Sequence, residues 1–211
     1  MRAAALGMAL SVSACASKPE VRHVGSESLE RWVRGERLFV EGERAASIEA
    51  LLEAASLLAR HPATPFEGDI DSDPGRPTGA SLEPRLATPA LALSTARNIA
   101  ASNPEMLERI AHAETALSSP EWPGPRVVAR VIGPDGRDFI DLGVGSFEVV
   151  VLGEGRSVLD LWVVDDDLRT VCSATGVGRV VCRWGGDVDR HCDVVVRNSG
   201  PVAERYVFAV R

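Results

Sequence analysis

Residues 159–172 read LDLWVVDDDLRTVC, an apolar run that ends in three consecutive aspartates. Short runs of this kind, rich in valine and bounded by turn residues, recur on both sides of it, between residues 126 and 210. They are RVVARVI, DFIDL, SFEVVVL, VLDLWVV, TVCSA, RVVCRW, HCDVVVRN and ERYVFAV. About eight such runs with no helical pattern between them are typical of an antiparallel sandwich. The sequence therefore predicts a β-sandwich domain over residues 122–211.

The acidic cluster within that stretch has two interpretations. A calcium site needs six to eight oxygen ligands that converge from several segments. Neighbouring residues of a strand point to opposite faces, so only two of three consecutive aspartates could face one ion. We therefore expect a solvated acidic turn and no metal site. The weaker alternative is a calcium site built from Asp160, Asp165 and Asp167.

The C-terminal half also resembles a known family. VLDLWVVDDDLRTVC, then Trp184, then CDVVVRNSGPVAERYVFAV is similar to the bacterial pre-peptidase C-terminal domain over residues 126–211. The resemblance implies a jelly-roll-like sandwich that usually accompanies a peptidase without being catalytic, and that in some relatives binds calcium or substrate. Two residues depart from the pattern. Val158 stands where the family often has an acidic residue, and Leu168 where its turn usually has glycine, which weakens the calcium interpretation.

The cysteines of this half are Cys172, Cys182 and Cys192. The resemblance implies a disulfide between Cys172 and a cysteine of the next strand, here Cys182. A Cys182–Cys192 pair and the absence of a disulfide remain alternatives, and with three thiols one must stay free or pair between molecules. Cys192 replaces an aromatic residue of the family pattern, and we expect it to be buried.

The chain begins MRAAALGMALSVSAC. Arg2 precedes an apolar run that is too short to span a bilayer, which takes about 20 apolar residues. Such a run followed by small residues is typical of an export signal. Residues 12–15, Val-Ser-Ala-Cys, resemble the bacterial lipobox, whose cysteine is acylated and becomes the new N-terminus.

This second resemblance predicts a lipoprotein. Residues 1–14 would be the signal peptide, Cys15 would carry the acyl chains, palmitate among them, and residues 15–27 would form a polar tether. Ala16 instead of aspartate favours the outer membrane by resemblance to lipoprotein sorting, with the protein facing the periplasm or the cell surface. Ala14-Cys15-Ala16 also fits ordinary signal peptidase, so plain secretion is the alternative. Either compartment is oxidising and permits disulfides.

Residues 28–121 are predicted to be a helical region. Leu29, Trp32 and Val33 share one face of a first helix, in which Gly35 and Gly42 are possible breaks because glycine destabilises a helix interior.

A second helix is expected after Ser47, its N-cap, and a further helix after Asn103, with Pro104 at its first position. The six prolines of residues 62–89 predict a long surface loop that interrupts the helical region.

The composition of the chain and its lack of known catalytic motifs argue against several classes of function. A net charge of −7 and an aromatic fraction of 5% argue against a nucleic-acid partner. The chain has no G-x-S-x-G, no H-E-x-x-H and no phosphate loop. Asp189 and His191 share a strand face, but two ligands do not make a metal site.

Two functions remain. We expect a lipid-anchored, non-enzymatic envelope protein whose sandwich binds a protein, peptide or glycan partner and which needs no cofactor. The alternative is a secreted or anchored hydrolase with a triad assembled from distant residues, such as His191, Asp160 and a serine.

Overall fold

The computed structural model describes residues 24–73, 75, 82–117, 124–145, 147–184 and 190–211. Cys15 and the predicted signal peptide lie outside the described residues. The helices within them are α1 (Val24–Ala45), α2 (Ile48–Arg60), α3 (Pro89–Ile99) and α4 (Pro104–Thr115). The strands are β1 (Thr64–Pro65), β2 (Ile70–Asp73), β3 (Arg126–Ile132), β4 (Arg137–Val144), β5 (Phe147–Gly153), β6 (Val158–Asp165), β7 (Thr170–Val177), β8 (Arg179–Trp184), β9 (His191–Asn198) and β10 (Glu204–Val210). The predicted α+β class is confirmed.

The strands form two five-stranded sheets that face each other. Sheet A has the order β1-β3-β10-β5-β8 and sheet B the order β2-β4-β9-β6-β7. Strands β3 to β10 correspond one for one to the eight predicted runs, and all pairings among them are antiparallel. The order 3-10-5-8 facing 4-9-6-7 is that of a jelly roll. The jelly-roll-like sandwich is therefore confirmed.

The proline-rich segment differs from its prediction as an uninterrupted loop. β1 and β2 lie within residues 62–89, and each is an edge strand, next to β3 and β4 respectively. Proline has no backbone N–H to donate to a ladder, but at an edge strand the nitrogen of alternate residues faces away from the sheet and needs no acceptor. Pro65 is tolerated in β1 for this reason, and the sandwich gains two strands from the helical half of the chain.

The two glycines of α1 do not break it, contrary to the prediction. They lie where α2 packs closest: a Cβ at Gly42 would be 2.8 Å from Cγ of Leu51, and one at Gly35 would be 3.0 Å from Cγ of Leu58. The stability lost to glycine in a helix is offset by this close packing, since Leu51 and Leu58 are almost fully buried.

The predicted helix caps are confirmed. The Ser47 hydroxyl accepts the Ala50 N–H at 3.3 Å, and the Asn103 side chain accepts the Met106 N–H at 3.2 Å. Pro104 occupies the first position of α4, where a missing N–H costs nothing.

The helices form a layer over the outer face of sheet A. Leu152, Val207 and Ala209 of that face share one apolar cluster with the buried residues of α1 to α4. Glu30 of α1 adds ion pairs to Arg179 at 2.6 Å and Arg183 at 2.8 Å. Among the described residues, no helix is long and apolar enough to cross a membrane.

Asn198, at the end of β9, holds three loops together. Its Nδ2 donates to the carbonyl oxygens of Ile132 and Val202 at 3.1 and 2.7 Å. Its Oδ1 accepts from the Ser157 hydroxyl at 2.6 Å and the Gly200 N–H at 3.0 Å. The fully buried amide thus uses its whole hydrogen-bonding capacity, which accounts for asparagine at this position.

Candidate functional site

The two outer faces of the sandwich have different environments. The helical layer covers sheet A, whereas the outer face of sheet B presents exposed side chains, Phe139 and Val177 being 40% and 60% exposed. We call the outward side chains of β4, β9, β6 and β7 the open face. Strand alternation assigns them, because the intervening residues are buried between the sheets.

An apolar row crosses the middle of the open face. Phe139 of β4 lies opposite Val195 of β9, Val195 lies opposite Trp162 of β6, and Trp162 lies opposite Ser173 of β7. The two aromatic residues are therefore two strand spacings apart, about 10 Å. Large aromatic side chains usually lie in cores, so two of them in one row of a solvent-facing sheet suggest a contact surface.

A polar row flanks the apolar row on one side. Arg137 lies opposite Arg197, and Arg197 lies opposite Asp160. Asp160 accepts the Thr175 hydroxyl at 2.8 Å, and Arg197 contacts Asp135 at 3.4 Å. Nε of Arg197 is buried without a hydrogen-bond partner among the described residues. This row therefore offers guanidinium donors and carboxylate acceptors beside the aromatic rings.

An acidic row flanks the other side. Asp141 of β4 lies directly opposite Asp193 of β9. His191 precedes Asp193 by two positions on β9 and therefore lies on the same face. The same row continues on β6 with Val164, which lies opposite Asp193. The apolar row thus lies between two rows that can donate and accept hydrogen bonds.

The structure does not bring the three calcium candidates together. Asp160 is on the open face, opposite Arg197, whereas Asp165 points between the sheets, opposite the buried Cys192. Asp167 is exposed in the turn between β6 and β7, with Arg169 3.3 Å away. Side chains along a strand alternate between its two faces. Asp160 and Asp165 are five positions apart on β6, so they point to opposite faces of sheet B.

Asp165 differs from the expected solvated turn residue, because its side chain is only 1% exposed. Its oxygens accept the Arg169 N–H at 2.9 Å and the Asp167 N–H at 3.0 Å, and Arg190 lies 2.7 Å away. The Arg169 N–H, helped by Arg190, lowers the pKa of Asp165. The first aspartate of the cluster therefore holds the turn together, and its two oxygens are already in use.

Cys172 and Cys182 form a disulfide, as the first of the predicted pairings, and Cys192 is a free, buried thiol. Burial raises the pKa of Cys192, so this thiol lacks the low pKa of a nucleophile.

The residues of the alternative triad lie apart. His191 is at the start of β9 and Asp160 pairs with Arg197 near its end. Six residues along a strand span about 20 Å. Ser28 Oγ lies 3.2 Å from His61 Nδ1 in the helical layer, but both residues are under 5% exposed. Neither residue lines the cleft between α1 and sheet A, and their burial argues against a substrate reaching this pair.

A cleft of about 390 Å³ lies between α1 and sheet A. Glu36 lines it and is 5% exposed, with the Ala87 N–H donating to its carboxyl at 3.0 Å. Burial raises the pKa of Glu36 to about 8, against the opposing effects of the Ala87 N–H and Arg85. Arg85 also pairs with Glu43 at 2.8 Å at the rim. Because the rim charges already have partners, this cleft is a weaker candidate than the open face.

Sequence reasoning placed Asp160 and Trp162 on one strand but did not identify the open face. The alternation of β4 and β9 predicts which residues share a face. It does not predict which of the two sheets the helices cover, and that choice decides whether a face is a core or a surface.

Comparison with known proteins identifies no family. No family model matches the chain, and no curated protein matches it. Among solved structures, PirA is similar over 40% of this chain and 93% of its own, with 13% identity and a TM-score of 0.33. A Streptococcus pneumoniae fucose binding module is similar over 38% of this chain and 68% of its own, at 11% identity and TM-score 0.30. The lectin domain of Lectinolysin complexed with Lewis B antigen covers 39% of this chain and 70% of its own, at 14% identity and TM-score 0.27. At these scores the likeness assigns neither a family nor a ligand.

Proposed function

We propose that this protein is a lipid-anchored, non-enzymatic component of the bacterial cell envelope that binds a glycan on the open face of sheet B. The row formed by Phe139, Val195 and Trp162 carries the proposal, because it sets two aromatic side chains on an exposed sheet between two polar rows.

A glycan fits this pattern chemically. A sugar ring has an apolar C–H face that packs on an aromatic side chain, and a rim of hydroxyl groups that donate and accept hydrogen bonds. Phe139 and Trp162 provide the apolar surface. Arg137 and Arg197 on one side and Asp141 and Asp193 on the other provide donors and acceptors.

The dimensions of the face favour a glycan over a folded protein partner. A stable protein interface buries about 800 Å² on each partner around an apolar core from which charges are depleted. Here the apolar row is one residue wide in each strand, and charged residues flank it on both sides. A narrow chain of sugars lying across the strands matches that layout.

The anchor is the second part of the proposal. The Val-Ser-Ala-Cys tetrad of residues 12–15 supports acylation of Cys15. Two or more acyl chains hold a protein at a membrane durably, whereas one does not. The disulfide between Cys172 and Cys182 agrees with an oxidising compartment outside the cytosol.

Glycan binding is tested on the full chain purified from membranes in detergent. The protein is applied to an array of bacterial envelope polysaccharides and to peptidoglycan, and retention is quantified by affinity electrophoresis. We expect Trp162→Ala to weaken retention about tenfold, because the variant loses the large apolar surface on which a sugar ring would pack and a loss of about 1.4 kcal/mol is tenfold in affinity. Phe139→Ala is expected to act in the same direction.

The control is Leu107→Ala, which removes an exposed apolar side chain from α4, remote from sheet B. It should bind as the wild type does. No retention on any glycan, or equal retention of Trp162→Ala and the wild type at equal melting temperature, would refute the glycan proposal.

Anchoring is tested separately by metabolic labelling with a clickable palmitate. The wild type should be labelled and remain with the membrane fraction. Cys15→Ala should lose the label, and an unlabelled wild type in the soluble fraction would refute the anchor without bearing on glycan binding.

A further inference from the structure

Three potential metal ligands converge at one edge of the open face. Nε2 of His191 lies 3.1 Å from Oδ1 of Asp141 and 3.5 Å from Oδ1 of Asp193. All three ligand atoms lie within 4.8 Å of one another. We infer that Asp141, His191 and Asp193 bind a divalent first-row transition metal ion, with Zn²⁺ as the reference ion.

The distances suit one shared ion. Zinc binds imidazole nitrogen and carboxylate oxygen at about 2.0 to 2.2 Å, usually with tetrahedral geometry. Two ligand atoms of such a tetrahedron lie about 3.3 to 3.6 Å apart. The two distances from His191 are close to this value. The aspartate side chains are 46% and 59% exposed, so small side-chain rotations can close the remaining edge.

The local backbone creates the convergence. Asp141 and Asp193 are directly opposite each other in the β4–β9 ladder, and the register then shifts between Asp141 and Gly143. Gly143 takes a φ of +72°, and its N–H donates to Oδ1 of Asp141 at 2.7 Å. This bulge brings His191 beside the two carboxylates, and the Gly143 N–H orients one of them, as supporting groups do around metal ligands.

The electrostatics also favour a cation. Like charges directly opposite in a ladder destabilise it unless something lies between them. Asp166 adds a third carboxylate, 3.3 Å from the His191 backbone nitrogen. The neighbouring Arg190 pairs with Asp165. The aspartates thus attract a cation that the nearby arginine does not replace.

The mixed ligand set selects the class of metal. Calcium and magnesium take oxygen ligands, whereas imidazole suits zinc, copper, nickel and iron. Three protein ligands leave at least one coordination position open for water or another ligand. The competing explanation is that Nε2 of His191 simply pairs with the two carboxylates, and this explanation predicts no metal binding.

Calorimetry tests metal binding in the absence of any glycan, so its result is independent of whether the proposed glycan binding is correct. Zinc chloride is titrated into the full chain after treatment with a chelator, and Co²⁺ is added in parallel to follow its visible absorption bands. We expect one zinc ion per chain at this site. His191→Ala and Asp193→Asn should each weaken binding at least about tenfold and abolish the Co²⁺ bands.

The matched control is His112→Ala, which removes an exposed imidazole from α4. It should bind zinc as the wild type does. Both variants at the site replace partly exposed side chains, and melting temperatures verify that they fold. The inference would be overturned if the wild type bound no zinc at zinc concentrations up to the millimolar range. Zinc binding that His191→Ala leaves unchanged would overturn it as well.

Discussion

Cys172 of β7 and Cys182 of β8 form a disulfide that joins sheet B to sheet A, with their Cα atoms 5.9 Å apart. The two strands follow each other in the chain, but they do not pair: β7 lies beside β6, and β8 lies beside β5. Both cysteines point into the core between the sheets. The bond therefore crosses the sandwich at its edge, where β7 and β8 are the last strands of their sheets.

Replacing both cysteines by serine should lower the free energy of unfolding by about 2–3 kcal/mol. The bond closes a loop with a sequence separation of 10, and the entropy of a short loop in the unfolded chain gives this magnitude. Urea denaturation measures the difference. A reducing agent should bring the wild type to the level of the double variant and leave the variant unchanged. A linked peptide containing Cys192 in a non-reducing digest would contradict the pairing.

The strand pattern of the C-terminal half was predictable because each strand is half-buried and ends at turn residues. RVVCRW became β8 and ERYVFAV became β10 with the predicted bounds. The caps at Ser47 and Asn103 were predictable for a similar reason, since a cap is a local interaction.

Features that depend on distant contacts were not predictable. β2 reads as a polar loop because its partner, β4, lies more than 60 residues later in the chain. The glycines of α1 read as breaks because Leu51 and Leu58 pack on them only in the folded state. The cluster of Asp141 with His191 depends on a bulge in β4, which the alternation of the sequence does not show.

Calcium should not stabilise the protein through the acidic turn. Asp165 already accepts two backbone N–H groups and faces Arg190 at 2.7 Å, so an ion would have to displace these partners. We expect millimolar calcium to change the melting temperature by less than about 2 °C. Differential scanning calorimetry with and without calcium measures this.

The matching variant is Asp165→Ala, which should lower the melting temperature equally in both conditions. Because the pKa of Asp165 is lowered in the folded state, its contribution is present above the ordinary pKa of 3.8 and is lost as the pH falls through the folded value. A calcium-dependent rise of several degrees that Asp165→Ala removes would restore the calcium interpretation.

Leu168→Gly should stabilise the protein by about 0.5–1 kcal/mol. Leu168 has a φ of +60° in the turn after Asp165 and is 86% exposed, so its side chain strains the backbone and gains little from burial. A left-handed conformation costs a residue with a Cβ about 1–2 kcal/mol, and the greater flexibility of glycine in the unfolded chain removes part of the gain. Urea denaturation measures it.

Ala46 gives an independent comparison for that effect, since this exposed residue between α1 and α2 has a φ of +51°. Ala46→Gly should shift stability in the same direction. A loss of stability in both variants would show that the two turns are not strained.

Glu36 should make the stability of the helical layer depend on pH. Burial raises its pKa from 4.5 to about 8, so the folded protein keeps this carboxyl protonated over a range in which the unfolded chain has lost the proton. The folded state then binds more protons than the unfolded state, and the free energy of unfolding falls as the pH rises from about 4.5 to about 8. Each pKa unit corresponds to about 1.4 kcal/mol, so the loss by pH 8 is a few kcal/mol.

Glu36→Gln should remove this dependence, because the amide cannot ionise and its oxygen can still accept the Ala87 N–H. We expect the variant to have a higher free energy of unfolding than the wild type at pH 8 and nearly the same value at pH 5. The difference should increase steadily from pH 5 to pH 8. Urea denaturation across this range measures both slopes. Glu108→Gln, which changes an exposed glutamate of α4, is the control and should keep the wild-type slope. If Glu36→Gln and the wild type show parallel pH profiles, Glu36 is ionised in the folded protein and its pKa is not raised by burial.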